Sequence, residues 1–313
     1  MVNKILDLLQ CVKCHTALDF IASSSTLKCI QCSTEYPIIN GVPSFSYNSI
    51  DDDLTAKAFS NQWALYKNGE YESTEVFGLK EEDYLNHFCY AFKIDKIEEL
   101  TGIILEVGVG SGHLINILAS KAPNATIIGM DISDNIFALS PLMSKYKNLF
   151  LIQGDLLTPP LKASSINYLY SSGVLHHTKS LYDSIKSLWI LLEECSGKFY
   201  FWVYPSYQFC AYDKLRQLLG KPYLYSEKTR YRLSKLLAPF LWIYFLITKK
   251  YSYKDHLESL ATIQFRIFDN ISPEFQHRAS KQDIYDWCAQ LEIKDYAIVN
   301  DLGVLCHKRK KNV

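Results

Sequence analysis

The segment Ile103-Ile-Leu-Glu-Val-Gly-Val-Gly-Ser-Gly-His-Leu-Ile115 leaves this chain few folds to choose from. An apolar run ending in Glu106 and Val107 passes into glycines at 108, 110 and 112, and a helical apolar pattern starts at once. Such a run reads as a strand buried in a parallel sheet, followed by a tight turn into a helix N-terminus. Glycine lets a ligand approach the backbone and accepts positive φ, while the first amides of the helix attract a negative group.

The same alternation continues downstream. Ala125-Thr-Ile-Ile-Gly-Met-Asp131 is a second strand, and its terminal acid, 21 residues after Gly110, is placed to accept two ribose hydroxyls. Leu149-Phe-Leu-Ile-Gln153 is a third, closed by Gly154-Asp155. Ile166-Asn-Tyr-Leu-Tyr170 runs into Ser171-Ser-Gly-Val-Leu-His-His-Thr178, and Gly197–Tyr204 reads as a fifth strand. Helical patterns at 112–121, 134–145 and 180–194 separate them. Strands alternating with helices predict a doubly wound α/β sheet with ligands at the carboxyl ends of its strands.

In this order and spacing, Glu106-Val-Gly-Val-Gly-Ser-Gly112, Gly129-Met-Asp-Ile-Ser133, Gln153-Gly-Asp155 and Ser172-Gly-Val-Leu-His-His177 resemble the class I S-adenosylmethionine-dependent methyltransferases. The resemblance is dense over residues 100–205. It implies a Rossmann-like sheet of seven strands and S-adenosyl-L-methionine as cofactor. It places Glu106, Gly108, Gly110 and Gly112 around the methionine part, Asp131 with Ile132 at the ribose, and Asp155 with Leu156 at the adenine. Ser172, after the fourth strand, completes the set. A nicotinamide dehydrogenase is the competing reading, but its Gly-x-Gly-x-x-Gly fingerprint expects glycine where this chain has His113.

Cys11-Val-Lys-Cys14 and Cys29-Ile-Gln-Cys32 form a second pattern. Two such knuckles offer four thiolates for a tetrahedral, structural zinc ion. Disulfides are disfavoured in a cytoplasmic enzyme, and a redox pair needs only one Cys-x-x-Cys. With Glu35–Phe45 the segment resembles the zinc ribbon of the tRNA-methyltransferase-activator type. Its charges balance (Lys4, Lys13 and Lys28 against Asp7, Asp19 and Glu35), whereas phosphate binding needs clustered cations. A structural or protein-facing ribbon is therefore favoured over an RNA reader. Cys89, Cys195, Cys210, Cys288 and Cys306 are scattered and read as core thiols.

The expected organisation is a zinc ribbon at 1–47, a helical linker at 48–100, the cofactor-binding core at 101–205, a helical aromatic insertion over the substrate site at 206–280, and a last helix with edge strands at 281–313. In the linker, Phe59-Ser-Asn-Gln-Trp63 resembles a helix that lies over the cofactor in related enzymes, although aromatics at i and i+4 also pack in any helix. Formal net charge is zero, so no overall field draws the chain to nucleic acid. Charge is uneven, however: residues 205–260 hold 10 bases and 4 acids, interleaved with tyrosines from Tyr207 to Tyr253. The longest apolar run, Leu236–Thr248, contains Pro239 and is shorter than the ~20 residues of a span. It predicts a buried or interfacial helix, no transmembrane segment, and an acceptor or surface that is apolar or amphiphilic, with peripheral membrane contact included. The start, interrupted by Asp7, does not read as an export signal, and a cytoplasmic location is expected.

Methyl transfer from a sulfonium is an in-line displacement, and a hydroxyl or carbon acid needs a base near neutral pH. His176 is the expected base, with a structural histidine as the alternative. Asn/Asp-Pro-Pro-Tyr after the fourth strand and a Pro-Cys dipeptide are both absent. A small-molecule or lipid-like acceptor therefore comes first. An rRNA or tRNA methyltransferase using the ribbon, or a non-catalytic S-adenosylmethionine-binding protein, stands as the alternative.

Overall fold

In the computed structural model, residues 4–45, 54–71, 76–207, 211–248, 258–299 and 302–309 are described. The chain opens with a four-stranded antiparallel sheet in sequential order: β1 (Leu18–Ile21), β2 (Thr26–Cys29), β3 (Glu35–Ile39) and β4 (Val42–Pro43). Two helices follow, α1 (Leu54–Lys67) and α2 (Glu81–Phe92). The doubly wound part begins with β5 (Gly102–Val107), α3 (His113–Lys121) and β6 (Ala125–Asp131). It continues through α4 (Asn135–Ala138), α5 (Pro141–Lys145), β7 (Leu149–Gln153), β8 (Tyr168–Ser172), α6 (Leu181–Trp189) and β9 (Lys198–Trp202). Helices α7 (Ala211–Leu218), α8 (Glu227–Thr248) and α9 (Leu260–Ile271) form the insertion, and α10 (Lys281–Gln290), β10 (Asp295–Val299) and β11 (Gly303–His307) close the chain.

The large sheet has seven strands in the order β10-β11-β9-β8-β5-β6-β7. Strands β5 to β9 pair in parallel, while β11 is antiparallel to both β9 and β10. The last two strands thus form the antiparallel edge of the sheet, with β10 outermost. The parallel strands are buried on both faces, which explains their unbroken apolar runs. Connection order reverses between β5 and β8, which opens a crevice there for a ligand.

Three local differences from the sequence reading have physical causes. The helical pattern at 134–145 breaks into α4 and α5 because Pro141, lacking an N–H, starts a new helix at its first turn. Helix α8 runs through Pro239 for 22 residues; that position is solvent-exposed, and the helix is held by its packing on α9. Cys195 is exposed rather than a core thiol, while Cys288 and Cys306 are buried; Cys210, Tyr251 and Tyr253 lie outside the described residues. No helix among the described residues is long and apolar enough to cross a membrane.

The N-terminal sheet packs directly on the large one. Leu9, Leu18, Leu27 and Tyr36 share one apolar core with Leu105, Ile128 and Phe150. Beyond β4 the backbone joins the free edge of β7: Ser44 bridges in parallel to Gln153, the Phe45 N–H donates to the Gln153 carbonyl at 2.9 Å, and the buried Ser44 hydroxyl donates to the Gln153 side chain. A strand edge that would otherwise be open is therefore covered.

Candidate active site

One cavity of about 1320 Å³ runs along the carboxyl ends of β5, β6 and β8 and continues beneath the insertion. Single small-molecule pockets span roughly 300–1,000 Å³, so there is room for two ligands side by side. Eight of the nine positions expected to meet the cofactor line it: Glu106, Gly108, Gly110, Asp131, Ile132, Asp155, Leu156 and Ser172. The ninth, Gly112, caps the N-terminus of α3 instead.

The turn after β5 is built to stay open. A Cβ on Gly108, where φ is +78°, would collide with Val174, and one on Gly110 would come within 2.7 Å of the Trp63 ring. Helix α1 thus lies across this turn, with Phe59 and Trp63 both facing the cavity. Asp131 accepts the amide of Gly110 at 3.0 Å and that of Ser133 at 2.8 Å, which fixes its carboxylate at the end of β6. Burial raises its pKa, while those amides pull it back. Glu106 sits deeper. Its Oε2 is buried without a hydrogen-bond partner, and desolvation, then the nearby Asp131 charge, lift its pKa well above the carboxylate range. A buried orphan acceptor beside an open glycine cradle and a fixed second carboxylate suits a ligand that brings its own donors.

Register places Glu106, Tyr170 and Tyr200 in one row across the sheet. Against that row, from α2, His87 sets Nδ1 2.6 Å from the Tyr170 hydroxyl and Nε2 3.3 Å from that of Tyr200. All three line the cavity, and burial lowers the His87 pKa. No motif announces His87, which lies 83 residues from Tyr170.

The far side of the cavity is aromatic: Trp202, Tyr204, Tyr207, Tyr244, Phe245 and Phe275 face it. His177 lines this side, whereas the fully buried His176 does not; the His176 ring stacks on Tyr204 at 3.8 Å, and neither of its nitrogens has a hydrogen-bond partner. Burial lowers the His177 pKa to about 4, and its Nδ1 lies 3.0 Å from the Phe275 carbonyl. A buried carboxyl that the sequence did not single out completes the roof. Asp269 of α9 accepts from Gln62 Nε2 at 2.9 Å. Desolvation pushes its pKa up to about 6, against the pull of Gln62, Arg266 and Tyr204.

The four cysteines of the N-terminal module converge. Their sulfurs all lie within 4.8 Å of one another, with Cys14–Cys29 at 3.3 Å and Cys11–Cys32 at 3.6 Å. A tetrahedral zinc with bonds of ~2.3 Å separates its sulfurs by about 3.8 Å, so the set fits that ion. Each Cys-x-x-Cys ends in the same turn, with His15 and Ser33 at φ +58° and their N–H groups donating to the Cys11 and Cys29 carbonyls. His15 lies beside Gln10, not among the sulfurs.

Residues 104–193 match the methyltransferase domain family. No curated protein matches the chain. Similar solved structures include a candidate S-adenosyl-L-methionine-dependent methyltransferase of Methanococcus maripaludis, 14% identical over 77% of this chain and 97% of that one, with a TM-score of 0.42. Another is a SAM-dependent methyltransferase of Thermotoga maritima, 14% identical over 81% and 99%, with a TM-score of 0.42. A third is the complex of the Haloferax volcanii Trm112 methyltransferase activator with a candidate methyltransferase, 16% identical over 45% and 58%, with a TM-score of 0.36. Residues 104–193 are thus a methyltransferase domain.

Proposed function

We propose that this enzyme transfers the methyl group of S-adenosylmethionine to a small amphiphilic acceptor held under the aromatic roof. The continuity of one cavity from the Glu106–Asp131 end to Tyr204, Tyr244 and Phe275 carries this reading. When bound, S-adenosylmethionine supplies a methyl group on a positively charged sulfur. Asp131 would accept from the ribose, Glu106 from the amino group of the methionine part, and Asp155 with Leu156 would border the adenine. Trp63 and Phe59 close the site from above and exclude water, which favours in-line displacement.

The base role passes from His176 to Asp269. His176 is walled off from the cavity, and His177, with a pKa of about 4, is too weak a base. Asp269, at about 6, is closer to the working pH and faces the acceptor side. The carboxylate is the active form, so the rate should rise as pH passes through about 6 and level off above it. Asp269→Asn should lower kcat roughly a hundredfold and remove that limb. Because the folded pKa lies above the unfolded one, ionisation opposes folding as pH rises, so Asp269→Asn should not lower thermal stability at neutral pH. A pH–rate limb that persists in the variant rules Asp269 out as the base.

Two of the ten bases between 205 and 260 turn inward rather than toward a phosphate backbone, and exposed Lys228, Arg232 and Lys235 continue an apolar stripe instead of forming a separate cationic patch. Arg216 donates to the carbonyls of Asn270, Pro273 and Glu274, and Arg230 to those of Tyr223 and Ser272. Arg266 pairs with Glu258, and Arg278 with Asp213. Zinc in the Cys11, Cys14, Cys29 and Cys32 cluster is structural in this reading. Labelled methyl offered to a host extract should enter small organic-soluble molecules; label released by nuclease would overturn the acceptor assignment.

A further inference from the structure

Helix α8 has two faces, and only one belongs to the protein. Ala238 and Phe245 pack inward with the apolar residues of α7 and α9, and Phe245 and Tyr244 line the cavity. The opposite face carries Leu236, Phe240 and Ile247 at 63%, 64% and 75% exposure, with Pro239 and Ile243 between them. Positions 236, 239, 240, 243 and 247 are spaced as one stripe. The same stripe extends toward the N-terminus through exposed Lys235, Arg232 and Lys228, and it carries no acid. Lys249 and Lys250 follow the helix in sequence. Three cations at one end of an apolar face match an interface where apolar side chains enter lipid and ammonium groups meet phosphates.

We propose that the exposed face of α8 docks on an anionic lipid bilayer, placing the cavity mouth at Tyr244 against the membrane so that an amphiphilic acceptor enters from the lipid. The occupant is a bilayer because the stripe is one-sidedly basic. A second copy meeting the same stripe about a two-fold axis would set Lys228, Arg232 and Lys235 near their own counterparts or over apolar residues. The proposal rests on the amphiphilic-acceptor reading, but its test needs no turnover.

The full chain is sedimented with vesicles of phosphatidylcholine alone and with about 30 mol% phosphatidylserine. The wild type should bind the anionic vesicles, weaken with salt, and bind the neutral ones poorly. Phe240→Ser with Ile247→Ser, and separately Lys228→Glu with Arg232→Glu and Lys235→Glu, should each reduce binding roughly tenfold or more. Thermal unfolding and S-adenosylmethionine affinity should stay unchanged in both, since none of these residues lines the cavity. Absence of wild-type binding, or binding that neither variant alters, overturns the proposal. So does a wild-type dimer that Phe240→Ser/Ile247→Ser dissociates, which would assign the face to a second copy. If S-adenosylmethionine binding is lost in the wild type itself, the methyltransferase reading fails and not the docking face.

Discussion

Asp131→Ala should weaken S-adenosylmethionine binding by at least about a hundredfold. A buried carboxylate accepting two ribose hydroxyls makes charge-assisted bonds worth ~1.5–3 kcal/mol each, and ~1.4 kcal/mol is tenfold in affinity. The substitution also strips the amides of Gly110 and Ser133 of their acceptor, which loosens the turn at the cofactor. Asp131→Asn keeps the shape and one acceptor oxygen, so it should be the milder of the two. Calorimetric titration of S-adenosylmethionine into each variant decides the matter: affinity within threefold of the wild type in Asp131→Ala would remove Asp131 from the site. Thermal unfolding alongside separates lost binding from lost fold.

Removing the metal from the N-terminal module should be the most damaging change to stability. Its strands are two to five residues long, and Cys11 and Cys29 are buried among Leu9, Leu18, Leu27 and Tyr36. Strands this short give the module little order of its own before it packs on the large sheet, and zinc affinity in such modules is largely folding free energy. Wild-type protein should hold close to one zinc by elemental analysis, and Cys29→Ser or a strong chelator should lower Tm by roughly 10 °C or more. Loss should reach the cofactor as well, because Ser44 and Phe45 hold Gln153, the residue before Gly154 and Asp155 in the cavity wall. Zinc-free protein that melts with the wild type and binds S-adenosylmethionine equally would show the cluster to be incidental.

Elements set by local rules were legible in the sequence. Apolar runs at 102–107, 125–131 and 149–153 became strands because a parallel sheet covers both faces. The glycine turn and the paired Cys-x-x-Cys knuckles declare themselves by short spacing. What stayed hidden depends on contacts between distant segments. Asp269 and Gln62 are 207 residues apart, so no short-range spacing marks Asp269 itself as the carboxyl buried beneath the roof. His176 and His177 are adjacent and chemically alike; only the 3-10 turn at Leu175–His177 decides which ring meets the cavity. Helix α8 combined two signals that oppose each other, an apolar run implying burial and a proline implying an end. Propensity alone gives no sign that its outer face is left uncovered.

The pairing of Ser44 with Gln153 joins segments 109 residues apart, which gives the protein a timetable. At a synthesis rate of about 5–20 residues per second, the cysteine module leaves the ribosome roughly 5–20 s before the strand it will cover. A module loaded with zinc in that interval meets β7 as a finished partner. One left empty lets β7 emerge with a bare edge, an open template for pairing with another nascent chain. With zinc in the cluster, metal supply during translation should govern yield before it governs activity, and cells starved of zinc should deliver this enzyme as aggregate.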